Sequence, residues 1–171
     1  MSELPWSHLV TEIPASGLTG ERIASEPERR AVGKELELLA IKALAARYRI
    51  RPTGGGRYRL TGDVEAEVEQ ACVVTLEPVP ARIAEHFDVE FWPEGEAEPA
   101  DEGEVEALSA PEIEPIENGR IDVGRIVFEQ LAAGLDPFPR KEGATLDHNE
   151  AGASDAAGNP FSVLASLPRK T

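Results

Sequence analysis

A chain of 171 residues suits one domain and can bury a substantial hydrophobic core. Its formal net charge of −15 argues against a general nucleic-acid or anionic-membrane binder, because neutralising phosphates requires an excess of Lys and Arg. The single cysteine excludes an intramolecular disulfide, and no apolar run approaches the roughly 20 residues of a membrane-spanning helix.

The charge is unevenly distributed along the chain. Between Glu21 and Arg59 there are ten basic and five acidic residues, whereas between Glu85 and Glu117 there are thirteen acidic residues and no Lys or Arg. Some local surfaces are therefore expected to be positively charged although the net charge of the molecule is negative. The first residues lack the basic and apolar regions of a signal peptide, so we expect a cytoplasmic protein.

The first elements are predicted to be a short strand and a long helix. Residues 8–13 read as a strand that ends at Pro14. Ser25 is placed as a helix N-cap, with Pro27 in the first turn and Glu28 completing a capping box. The apolar residues that follow recur at helical spacing: Val32, Leu36, Leu39 and Ala43. This spacing predicts a helix over residues 26–46.

Arginines alternate with apolar residues on both sides of the run Pro52-Thr-Gly-Gly-Gly56. A five-residue loop here would place Arg51 opposite Arg57 and Arg49 opposite Arg59, so that one face of a hairpin carries Arg47, Arg49, Arg51, Arg57 and Arg59. Because like charges in register repel one another, this face requires an anionic partner or full solvation. The acidic tract over residues 94–106 is one candidate, and RNA phosphate is the other.

The stretch from Arg57 to Phe91 predicts the central hairpin of the fold. Along the first half of this stretch the even positions are apolar and most odd positions are charged, as in an antiparallel strand with one solvated side. The apolar set is Leu60, Gly62, Val64, Ala66 and Val68, followed by Cys72, Val74 and Leu76. The residues Glu77-Pro78-Val79-Pro80 are expected to stop this strand. Phe87, Val89 and Phe91 indicate a second strand that ends at Trp92.

The remaining chain predicts one further helix and several irregular segments. Asp122 is placed as the N-cap of an amphipathic helix over residues 122–135, which Asp136-Pro137 ends. Residues 94–110 have the composition of an acidic flexible loop, and residues 138–158 that of a flexible segment. Phe161, Leu164 and Leu167 are spaced as in a short C-terminal helix.

Catalytic and metal-binding signatures are missing from the sequence. Gly54-Gly55-Gly56 leads into a strand rather than a helix, so it does not form a phosphate-binding loop. The three histidines are scattered, and Cys72 falls in the apolar strand pattern as a small buried residue. We therefore predict a protein that is not an enzyme, with no cofactor, no metal and no small-molecule substrate.

Three blocks of sequence carry a family resemblance. They are Gly62-Asp-Val-Glu-Ala-Glu-Val-Glu-Gln-Ala-Cys72-Val-Val-Thr-Leu-Glu-Pro78, Asn118-Gly-Arg-Ile-Asp122, and Asn159-Pro-Phe-Ser-Val-Leu-Ala-Ser-Leu167. The residues of these blocks and their order along the chain resemble the YceD family, which is associated with accumulation of large-subunit ribosomal RNA. The positions that carry the family motif are Gly62, Cys72, Leu76, Pro78, Asp122 and Pro160. Many members resemble C-x-x-C-L at the strand end, where this chain has Thr75.

The fold expected is one α+β domain over residues 1–171. It has an antiparallel sheet at residues 47–91, for which a barrel-like curl is one option, and helices 26–46 and 122–135 cover the apolar face of this sheet. The resemblance implies a ribosome biogenesis factor required for accumulation of large-subunit (23S) rRNA. Its partner in the pre-ribosome is then either rRNA, held by the arginine hairpin, or a basic ribosomal protein, held by Glu65, Glu67 and Glu69. The net charge of −15 slightly favours the ribosomal protein.

Overall fold

The computed structural model describes residues 4–96 and 112–145. The order of elements is β1 (Ser7–Leu9), a 3-10 turn (Val10–Glu12), β2 (Leu18–Ile23), α1 (Glu26–Glu35), β3 (Ala40–Gly54), β4 (Arg57–Ala71), β5 (Pro78–Trp92), β6 (Glu112–Pro115), β7 (Arg120–Asp122) and α2 (Val123–Ala133). The α+β class is confirmed. The predicted helix over residues 159–167, residues 97–110 of the acidic loop and residues 146–158 of the flexible segment lie outside the described ranges.

A five-stranded sheet forms the body of the molecule, in the order β2-β3-β4-β5-β6. Neighbouring strands in this sheet are antiparallel, except β5 and β6, which are parallel. The sheet is open, since β2 and β6 are its edges and do not pair with each other, so the barrel alternative is wrong. A separate two-stranded sheet pairs β1 with β7.

One face of the large sheet is buried under the two helices. The even positions of β4 and the matching odd positions of β5 point into this core, including Leu60, Val64, Val68, Phe87 and Phe91. The register predicted for residues 60–72 is therefore confirmed. Helix α2 begins after Asp122, whose carboxylate accepts a hydrogen bond from the Arg125 N–H at 3.0 Å, and it buries Ile126, Val127 and Leu131.

The helix predicted over residues 26–46 is wrong in its second half. The capping interactions at its start are as expected, since the Glu28 carboxylate accepts hydrogen bonds from the Ser25 N–H at 2.7 Å and from its hydroxyl at 2.6 Å. Helix α1, however, ends at Glu35, and Ala40 begins β3. A β-bulge between Ile41 and Ala43 lets Ile41 and Leu44 both face the core, and this spacing of three residues imitates a helix in the sequence.

Two turns also differ from the predicted ones. Strand β3 continues to Gly54 and β4 begins at Arg57, so the turn between them is shorter than the predicted five-residue loop. As a result, Arg51 faces Arg59 rather than Arg57. At the other end, β4 stops at Ala71, and Leu76 is 75% exposed instead of buried. Pro78 and Pro80 belong to β5 rather than ending β4. Proline is tolerated here because, among the described residues, no strand pairs with the other side of this part of β5.

Candidate functional site

The face of the sheet opposite the helices, called here the open face, carries the odd positions of β4 and the side chains paired with them. Its charged side chains are exposed or half-buried, and they are arranged in cross-strand rows. The predicted arginines occupy one end, called the arginine end: Arg47, Arg49, Arg51, Arg57 and Arg59. The predicted acidic residues occupy the middle and the other end, called the acidic row: Glu65, Glu67 and Glu69.

Three members of the arginine end have acidic partners. Arg47 Nε lies 3.0 Å from Glu21 Oε1 on β2. Arg59 makes a bidentate pair with Asp88 on β5, with Nε 2.7 Å from Oδ1. The hydrogen bond from Arg59 lowers the pKa of the Asp88 carboxyl group below its ordinary value, so this pair stays ionised near neutral pH.

Arg57 is held by an aromatic ring as well as by an acid. Its guanidinium carbon lies 3.9 Å from the centre of the Trp92 ring, and its Nη2 lies 3.2 Å from Glu96 Oε2. A cation stacked on a tryptophan ring and paired with a carboxylate has little freedom to reorient toward a ligand. Arg57 is therefore the most constrained arginine of this end.

Arg49 and Arg51 differ from the other three. Within residues 4–96 and 112–145, neither side chain has an ion pair or a side-chain hydrogen bond. Arg49 faces Thr61 on β4 and Thr19 on β2, while Arg51 faces Arg59. Among the described residues, neither of these exposed cations has a carboxylate directly opposite it on a neighbouring strand, so this corner of the open face is locally positive.

A groove lies beside these cations. It has a volume of about 480 Å³ and is lined by Arg51, Pro52, Thr53, Arg59 and Thr61. Two guanidinium groups and two hydroxyl groups can all donate hydrogen bonds to an anion, and arginine suits phosphate because its donors form a rigid fork. The groove thus offers mainly hydrogen-bond donors to whatever approaches it.

The acidic row is less available than the sequence suggested. Glu69 Oε1 lies 2.6 Å from Lys42 Nζ, and Glu67 Oε1 lies 2.9 Å from Arg82 Nη2. Only Glu65, which stands between Ala45 and Ala84, has no ion pair or hydrogen bond among the described residues. The row alternates with cations from its neighbours, so it does not form a continuous acidic surface.

The family-motif positions mostly have structural roles. A Cβ added at Gly62 would stand 2.3 Å from the Arg47 carbonyl oxygen and 2.5 Å from the Phe87 ring, so this position accepts only glycine. Asp122 caps α2, and Pro78 opens β5. Leu76 adopts a φ of 62° in the turn after β4, and Pro160 lies outside the described residues.

Cys72 is buried as predicted, but its surroundings are more polar than the sequence indicated. Its Sγ accepts hydrogen bonds from the N–H groups of Val74, Thr75 and Lys141, each at 3.4 Å. Led by the bond from Lys141, these donors lower the pKa of the thiol to about 6. Lys141 is 69 residues away in the chain, so no local pattern could have revealed this.

The part of the chain that the structure describes has neither a metal-binding cluster nor a membrane-spanning helix. No group of three or more His, Cys, Asp or Glu side chains there could hold a metal ion. No helix among the same residues is long and apolar enough to cross a membrane.

Comparison with known families matches this chain to one model. The model, described as large ribosomal RNA subunit accumulation protein YceD, matches residues 60–168, which is more than half of the chain. The chain belongs to the YceD family. The match begins on β4 and includes all three motif blocks. Searches of curated proteins and of solved structures gave no match.

The YceD family name implies a role in accumulation of the large ribosomal RNA subunit. The match leaves out β1, β2, α1, β3 and the first three residues of β4. All five arginines of the arginine end are therefore outside it: Arg47, Arg49, Arg51, Arg57 and Arg59. The arginine end therefore lies entirely in the segment before the matched residues, whereas Glu65, Glu67 and Glu69 of the acidic row lie within them.

Proposed function

We propose that this protein supports accumulation of large-subunit (23S) rRNA as a non-enzymatic binding factor, and that the arginine end of its open face contacts rRNA phosphates. The observation that supports this most directly is the pair Arg49 and Arg51, two exposed cations without an acidic partner among the described residues. An exposed arginine without a carboxylate can bind a phosphate without first breaking an ion pair.

The second candidate, capture of a basic ribosomal protein by the acidic row, is less well supported. Two of its three carboxylates already pair with Lys42 and Arg82, and a Lys/Arg-rich segment would have to displace those cations. Glu65 alone favours this interpretation. We therefore rank rRNA above a ribosomal protein, although composition suggested the opposite order.

The net charge of −15 opposes RNA binding at long range but has less effect at contact distance. At physiological ionic strength the screening length is about 8 Å, so charges much farther than this from a phosphate repel it only weakly. The electrostatic potential close to the arginine end depends mainly on Arg49, Arg51 and the other side chains that line the groove. Binding should then be modest in affinity and should weaken as salt rises, with a slope of about one unit in a log–log plot for each phosphate contacted.

The test is binding of the purified full chain to large-subunit rRNA transcribed in vitro, over a range of salt concentrations. Arg49→Ala together with Arg51→Ala should weaken binding, and the slope of log affinity against log salt should fall by about one unit for each arginine that no longer reaches a phosphate. The matched control is Arg47→Ala, which removes the same charge from the same strand but from an arginine already paired with Glu21. It should change binding far less.

Two outcomes would reject RNA contact at this site. One is equal binding by wild type and the double variant. The other is that the chain does not bind rRNA but captures a basic ribosomal protein, and that changing Glu65, Glu67 and Glu69 to Gln abolishes this capture. That result would support the acidic row instead, and its association rate should then be sensitive to ionic strength.

A further inference from the structure

Apolar side chains are exposed together at the end of the sheet farthest from the arginines. In the described part of the chain six large apolar side chains are exposed, and four of them belong to this end: Leu39, Val73, Leu76 and Phe138, called here the apolar end. The Val73 N–H donates to the Pro139 carbonyl at 2.9 Å, which holds the segment after α2 against the turn after β4. Leu39 is bonded through its N–H to the Glu69 carbonyl near the end of β4.

The turn at this end holds Leu76 outward. The Leu76 N–H donates to the Cys72 carbonyl and the Cys72 N–H to the Glu77 carbonyl, both at 2.9 Å. Leu76 has a φ of 62°, which residues other than glycine rarely adopt, and it remains 75% exposed. Phe138 is 71% exposed. Single exposed apolar residues are ordinary on protein surfaces, but a group of them at one end indicates a contact surface.

The chain itself provides an apolar segment that follows in sequence the residues bonded to this surface. The described residues stop at Thr145, four positions after Lys141, whose N–H reaches Cys72 Sγ and whose Nζ lies 2.9 Å from Glu77 Oε1. Residues 159–167 follow, with Phe161, Val163, Leu164 and Leu167. The family match over residues 60–168 includes both this segment and the turn that carries Val73 and Leu76.

The length of the connection favours this end over the rest of the molecule. Residues 146–158 are thirteen in number, and a flexible chain of that length would span about 20 Å on average, which would hold residues 159–167 at millimolar effective concentration near Thr145. Strand β4 has 15 residues and is about 50 Å long, so the arginine end is much farther away.

We propose that residues 159–167 dock on the apolar end, with Phe161 and Leu164 packing against Val73, Leu76 and Phe138. The pairing buries apolar surface on both sides and places no charge in the contact, since residues 159–167 contain no Asp, Glu, Lys or Arg. This contact is independent of RNA binding at the arginine end.

Paramagnetic relaxation in the full chain tests the docking. A nitroxide is attached to Ser166→Cys in a Cys72→Ala background, and broadening of backbone amide signals is measured. We expect strong broadening at Val73 and Leu76 and none at Gly54 to Gly56. Adding Leu76→Ser and Phe138→Ser should remove the broadening; both positions are exposed, so these variants should fold. The matched control is Ile23→Ser, which removes an exposed apolar side chain from β2 and should change nothing.

Three results would overturn the proposal. Broadening that is weak and uniform would mean that residues 159–167 do not dock in the free chain, and that the apolar end awaits another protein. Broadening centred elsewhere would place the segment on a different surface. Broadening that appears only between spin-labelled molecules and separate isotope-labelled molecules would assign the contact to a second copy of the chain.

Discussion

The availability of each arginine on the open face depends on the side chain that faces it across the strands. Arg47 and Arg59 both meet carboxylates on neighbouring strands, whereas Arg49 meets two threonines and Arg51 meets another arginine. The facing residues are far from the arginines in sequence, and a shift of two residues in the pairing of β3 with β4 would give each arginine a different partner on β4. The composition of the hairpin indicated a basic surface, but only the observed register distinguishes Arg49 and Arg51, which have no acidic partner among the described residues, from the other three arginines.

The alternation in β4 makes a direct prediction for two neighbouring residues. Val68 is 1% exposed, so Val68→Asp would bury an unpaired charge and should destabilise the protein by more than about 3 kcal/mol. Glu67→Gln, one residue away on the open face, should change the free energy of unfolding by less than about 0.5 kcal/mol, because its ion pair with Arg82 is exposed. Urea denaturation measures both. Equal stability of the two variants would contradict the assigned faces.

The lowered pKa of Cys72 predicts a pH dependence of stability. The thiol has a pKa of about 6 in the folded protein and an ordinary value of 9.0, so between these values the unfolded chain binds more protons than the folded one. This contribution to stability therefore grows as pH rises from about 6 to about 9, and it is lost as pH falls through the lower value.

Comparing wild type with Cys72→Ala isolates this effect. The stability advantage of wild type in urea denaturation should increase between pH 6 and pH 9, since only wild type carries the thiol. A difference that stays constant across this range would show that the three N–H donors do not favour the thiolate. Cys72→Ala should still fold and retain biological activity, because we assign the thiol no chemistry.

The junction between α1 and β3 shows the limits of helical spacing as a signal. Residues 40–46 contain Ala and Leu, which favour helices. The bulge also lets Ile41 and Leu44, three residues apart, face the core together, as they would in a helix. Long-range pairing with β4 and β2 overrides that local preference and completes a fifteen-residue strand. By contrast, Ser25, Glu28 and Asp122 act through contacts within one turn, and their roles were predictable from local sequence.

The end of α1 offers a second stability prediction. Glu37 has a φ of 54°, with its N–H bonded to the Lys34 carbonyl and the Leu38 N–H bonded to the Gly33 carbonyl, as in a helix end that normally uses glycine. Glu37→Gly should stabilise the protein by roughly 0.5–1 kcal/mol. The control Arg30→Gly, in the middle of α1 and exposed, should destabilise it by about 1 kcal/mol. Thermal unfolding that ranks these two variants in the reverse order would contradict the assigned helix end.

At the scale of the whole molecule, the fold separates three surfaces. The helices and the two-stranded sheet bury one face of the large sheet, the open face presents charge, and the apolar end presents Leu76 and Phe138. The hairpin of β4 and β5 and the helix after Asp122 were predictable because their apolar patterns are long and regular. The pairing of β2 with β3 and of β1 with β7 was not, since those strands are short and their partners are distant.

The central claim is that Arg49 and Arg51 contribute to large-subunit rRNA accumulation by binding rRNA. The most direct measurement is the ratio of large- to small-subunit rRNA in cells whose only copy of this protein carries Arg49→Ala and Arg51→Ala, at matched protein abundance. We predict that the ratio falls to the level of cells lacking the protein, while Arg47→Ala leaves it near wild type. A wild-type ratio in the double variant would contradict the claim.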